Sequence, residues 1–136
     1  MTPLNITGLY ATILVFMIMW LAIRVIRLRM HQRVGFLDAG HPDLLAAIRI
    51  HSNAVEWITM TLILFACAES QHLGWIWLHA LGIILVISRL LHVVGLSRSA
   101  GRSFGRTYGI LGTMLVIIIL GIYNIAAFLY SLKLYI

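Results

Sequence analysis

Three residues in the segment RIHSNAVEW, Arg49 to Trp57, carry complementary polar chemistry at helical spacing: Arg49, Asn53 and Glu56. Intervals of four and three residues, at about 100 degrees per residue, set all three on one narrow stripe of a helix. A guanidinium fork grips carboxylates, an amide both donates and accepts, and a carboxylate receives an ammonium. Together they suit a small zwitterionic ligand with carboxylates, peptide groups and an amine. A second segment, RLLH, holds Arg89 and His92 at another same-face spacing. Arg89 is expected either to pair with Glu56 or to bind an anion, and His92 either to orient one of these or to act as an interfacial donor. A third group, Arg98, Arg102 and Arg106, lies in SRSAGRSFGR. A guanidinium beside a thiol stabilises the thiolate and so raises its nucleophilic fraction. Arg106 is best placed for that role and Arg102 is its close rival. The structural alternative makes Arg49 and Glu56 neutralise neighbouring charges, Asn53 bond one helix to another, and the loop arginines act only as anchors.

These residues sit in an apolar chain. Of 136 residues, 62% are hydrophobic and 10% are charged, against about a quarter charged in ordinary globular domains. A chain this short cannot hide so much apolar surface from water, so lipid must cover the rest. Residues 1–23, 57–68, 70–88 and 107–132 contain no Asp, Glu, Lys or Arg. Three of these runs approach or exceed the roughly 20 residues needed to cross a bilayer. Charges inside such spans need a reason, because one near the bilayer centre costs about 2.5 to 3.5 kcal/mol on insertion scales.

The elements that position the polar residues are four helices, expected at about 6–29, 43–68, 75–96 and 107–132, in one domain spanning 1–136. Pro42 and Asp43 suit the first turn of the second helix, where proline loses no hydrogen bond and a carboxylate meets the positive helix end. Short connections favour an all-α, up-down-up-down bundle of four transmembrane helices. Arg24, Arg27, Arg29 and Arg33 follow the first span, and Arg98, Arg102 and Arg106 precede the last. The positive-inside rule puts both clusters on the cytoplasmic side and both termini outside. The first span lacks a basic leader and a cleavage pattern, so it is expected to be retained.

Several function classes lack their signatures. The net charge of +6 flanks membrane spans without a recognition module, which argues against nucleic acid. The six histidines are scattered over different depths without an HExxH pattern, and Cys67 is the sole cysteine, so no metal site is expected. GRSFGR lacks the spacing of a phosphate loop, and no GxSxG elbow is evident.

The RxxxNxxE pattern of Arg49, Asn53 and Glu56, with RLLH at 89–92 and the arginine-rich entrance to the fourth helix, resembles MAPEG, the membrane-associated proteins in eicosanoid and glutathione metabolism. The likeness extends over all four spans and is strongest to the small bacterial branch. It implies a homotrimer of four-helix subunits in the bacterial inner membrane, with termini periplasmic and glutathione held between subunits near the cytoplasmic side. It further implies glutathione contacts from Arg49, Asn53, Glu56 and Trp57, from Arg89 and His92, and from Arg27 or Arg29 at the end of the first helix. The thiolate-stabilising arginine of the family maps most naturally to Arg106. Trp57 replaces a frequent tyrosine, Thr59 a frequent proline, and Leu96 a tyrosine, so two hydroxyl contacts and one bend are missing here. The implied activity is a glutathione S-transferase that conjugates apolar, lipid-like electrophiles, with reduction of lipid hydroperoxides as a second outcome. The alternative from another class is a non-catalytic membrane protein that binds glutathione or another small anion for sensing or transport.

Overall fold

A computed structural model describes residues 4–98 and 103–133. It is all-helical over these residues: α1 (Asn5–Gln32), α2 (Pro42–Ser70), α3 (Trp75–Arg98) and α4 (Phe104–Leu132). All four are long and apolar enough to cross a membrane. The helices overrun the charge-free runs because arginine stems can lie along apolar surface while their heads reach the interface. α1 thus continues through Arg29 to Gln32 before Arg33 adopts a left-handed conformation, with φ of 56°, and ends it. α2 opens on Pro42 with Asp43 in its first turn.

The start of α4, like the end of α1, differs by three residues from the sequence expectation. Ser103 is its N-cap, and the Ser103 hydroxyl accepts from the Arg106 backbone N–H at 3.3 Å. A hydroxyl at this position satisfies one of the amides that a helix start leaves open. The helix therefore begins at Phe104, and Arg106 lies inside its first turn rather than ahead of it.

α3 packs most extensively on α4 and α1 on α2, with smaller α2–α4, α2–α3 and α1–α3 contacts; among the described residues α1 and α4 do not meet. The α3–α4 seam is close because of glycines. A Cβ on Gly109 would come 2.6 Å from the His92 amide nitrogen and 2.6 Å from the Ser88 carbonyl oxygen, and one on Gly105 would come 2.6 Å from the Leu91 carbonyl. Small residues let membrane helices approach in this way. Gly8, by contrast, faces open space. The core runs along the bundle through Leu14, Leu21, Ile58, Phe65, Leu85, Val116 and Leu120.

The end of the bundle that holds the α2–α3 turn is tied by polar bonds. Glu69 accepts from the backbone N–H groups of Ile6 at 2.9 Å and Thr7 at 2.7 Å, and from the Thr7 hydroxyl at 2.5 Å. A carboxylate of α2 thereby closes the open amides of α1. On the other side, Gln71 donates to Asn124 at 2.7 Å and Tyr123 donates to the Gln71 carbonyl at 2.9 Å. These bonds bind α1, α2 and α4 at that end, beside an open cavity of about 800 Å³ that Gln71, Tyr123 and Asn124 help to line; the polar residues singled out in the sequence lie at the opposite end.

Candidate functional site

That opposite end carries a cavity of about 820 Å³ on the α2–α4 side, with α3 behind it. Its size lies within the range usual for small-molecule sites. α2 contributes Arg49, Ser52, Asn53, Glu56 and Trp57, α3 contributes His92 and Leu96, and α4 contributes Arg106, Thr107, Ile110 and Leu111. The i, i+3, i+4 spacing along α2 and α4 places each set on one face of its helix. Polar groups occupy the α2 wall, while Leu96, Ile110 and Leu111 give the other walls an apolar lining.

Arg49 and Glu56 are exposed on α2, and Asn53 and Trp57 are half-buried. Exposed charges on a membrane-spanning helix cannot face hydrocarbon without cost. They must meet water, a ligand or another chain. Arg89 behaves differently from its neighbours in sequence: it is 0% exposed and does not line the cavity. Its Nη2 donates to Asn53 Oδ1 at 2.8 Å, so its bond goes to the amide and not to Glu56. Asn53 Oδ1 is occupied from behind, and the Asn53 NH2 is the donor left for the cavity. Among the described residues, the Nε and Nη1 of Arg89 are buried without a hydrogen-bond partner.

His92 is buried, and its Nδ1 lies 3.0 Å from the Arg106 carbonyl oxygen. A carbonyl only accepts, so Nδ1 carries the proton in this contact. The imidazole thus anchors the first turn of α4, and with it the Cα of Arg106, against α3. The Arg106 side chain is exposed at the cavity.

The other site candidates fall elsewhere. Arg27 and Arg29, on α1, do not line the cavity; Arg29 Nη1 donates to the Leu37 carbonyl at 2.9 Å and ties down the α1–α2 loop. Arg102 lies outside the described residues. Ser52, Thr107, Ile110 and Leu111 line the cavity although the sequence did not single them out. Ser52 follows Arg49 by three and Ile110 follows Arg106 by four, so each was within reach of the same helical spacing argument. Among the described residues no group of three or more His, Cys, Asp and Glu could hold a metal ion.

Comparison with known proteins adds an independent observation. The chain is 38% identical over 90 residues to the inner membrane protein YecN of Escherichia coli, in two strains. The aligned stretch covers 66% of this chain and 69% of that relative. The model of the MAPEG family matches residues 7–126, which takes in the whole of α2 and α3, the cavity-lining part of α4 and nearly all of α1. The protein is therefore homologous to YecN and belongs to the MAPEG family.

Proposed function

We propose that this protein is an inner-membrane glutathione transferase that binds glutathione in the α2–α4 cavity and activates its thiol for attack on an apolar electrophile. The observation that carries the reading is the gathering of Arg49, Asn53, Glu56, Trp57, His92 and Arg106 around one cavity. Arg49 would pair with a glutathione carboxylate, the Asn53 amide with a peptide carbonyl, and Glu56 with the γ-glutamyl ammonium. Arg106 would stabilise the thiolate, with Arg102 as the other candidate. The apolar walls then suit a second substrate that arrives from the bilayer. Attack of the thiolate sulfur on carbon would form the thioether and expel the leaving group. Attack on a hydroperoxide oxygen would form the sulfenic acid and release the alcohol, and a second glutathione would then yield the disulfide and water.

A homotrimer completes this reading. The exposed charges of α2 call for a covering chain, and Arg27 or Arg29 of α1 could then reach a neighbouring subunit's cavity. Family membership and the name of the Escherichia coli relative support a bacterial inner-membrane location, with the cavity on the cytoplasmic side by the positive-inside rule.

Calorimetric titration of the purified protein with glutathione tests the binding half. Arg49→Ala is expected to weaken binding by at least about tenfold, the loss that follows from one charge-assisted hydrogen bond. A wild-type protein that takes up no glutathione contradicts the assignment. Binding without turnover of any apolar electrophile or hydroperoxide favours the non-catalytic alternative.

A further inference from the structure

A second basic site lies on the other side of the bundle. α1 and α4 do not meet among the described residues, while α2 and α3 contact each other and both outer helices. The α1–α3 seam therefore opens away from the α2–α4 seam that carries the cavity. It holds a groove of about 360 Å³, lined by Met17, Trp20 and Arg24 of α1 and by Leu90, Val93, Val94 and Ser97 of α3. Arg24 is half-buried there, and its Nη1 donates to Ser97 Oγ at 3.1 Å. That bond joins α1 to α3 at the groove, one helical turn from Trp20, which is 57% exposed.

We propose that this groove is a binding site for an anionic phospholipid of the leaflet facing the arginine-rich end. Its phosphodiester would meet Arg24, and its acyl chains would run along Met17, Trp20, Leu90 and Val94. Two observations select this occupant. The groove has a positive head and an apolar floor in the order that a lipid presents charge and chain. A guanidinium carries five N–H donors, and Ser97 accepts from one. Basic pockets between membrane helices on the cytoplasmic side select acidic headgroups on the same physical grounds. The groove is too open to enclose a whole lipid; it would hold the headgroup and the first carbons of the chains.

Native mass spectrometry of the full-length protein in detergent tests this directly, using phosphatidylglycerol and phosphatidylcholine with identical acyl chains. Wild type is expected to retain phosphatidylglycerol about five-fold more than phosphatidylcholine, the ratio set by one basic side chain near the surface. Arg24→Gln should abolish that preference while leaving some retention of both lipids. Val94→Trp keeps the charge and so leaves insertion undisturbed; it should reduce retention of both lipids by filling the groove. Equal retention of the two lipids by wild type, or an unchanged preference in Arg24→Gln, overturns the proposal. So does a Val94→Trp protein that loses subunits instead of lipid, because the groove would then be a contact between copies. None of these readouts depends on glutathione.

Discussion

At the scale of single residues, the informative group is Arg89, a guanidinium with no exposed surface and, among the described residues, one acceptor in Asn53. Removing the acceptor and removing the charge have different consequences. Asn53→Leu strands a buried cation and is expected to lower unfolding stability by about 2 to 3 kcal/mol. Arg89→Met removes the cation itself and leaves the Asn53 amide at a cavity that water can enter, so its cost should be smaller. Unfolding of both variants in the same mixed micelles would check the order. Should Arg89→Met prove the more damaging, Arg89 has partners that the Asn53 bond does not represent. The sequence made the polarity of Arg49, Asn53 and Glu56 legible, because four-and-three spacing forces them onto one stripe. It could not show that Arg89 is buried behind Asn53 and does not line the cavity. That depends on how α3 rotates against α2, and RLLH alone fits either orientation.

At the scale of elements, the bundle is tied at one end by polar bonds between helices and drawn together along α3–α4 by glycine. Glu69 supplies three acceptor contacts to the first turn of α1. Glu69→Ala should cost about 0.5 to 2 kcal/mol, the usual range for a lost helix cap, and should expose the α1 start to proteolysis without altering the cavity at the far end. Gly109→Val should be worse, since the added carbons meet α3 backbone that cannot give way. It would push α4 off α3, displace the His92 contact with the Arg106 carbonyl and thereby weaken ligand binding together with stability. Limited proteolysis and glutathione titration of the two variants separate these effects. Three of the four spans were legible from charge-free runs and α2 only from its short run 57–68 extended by polar residues at helical spacing, whereas the ends were not. Arginines can continue a helix past its apolar run, and only the Ser103 cap places the start of α4 at Phe104. Gly105 and Gly109 meet α3 while Gly8 meets nothing within 4 Å, a distinction that needs the neighbouring helix.

At the scale of the whole molecule, two faces of one bundle differ in what they ask of their surroundings. The α2–α4 face exposes Arg49 and Glu56 beside a cavity with apolar walls, and the α1–α3 face offers a basic head over an apolar groove. One suits a ligand and a covering chain, the other the bilayer. The central claim is that the first face activates a thiol. Glutathione titrated into purified wild-type protein, with thiolate absorbance followed near neutral pH, tests it most directly, with Arg106→Ala and Arg102→Ala run in parallel. The expected result is a saturable thiolate signal in wild type that is lost in Arg106→Ala and retained in Arg102→Ala. Loss in Arg102→Ala alone would move the role to that residue, and glutathione binding with no thiolate signal in wild type would contradict the account.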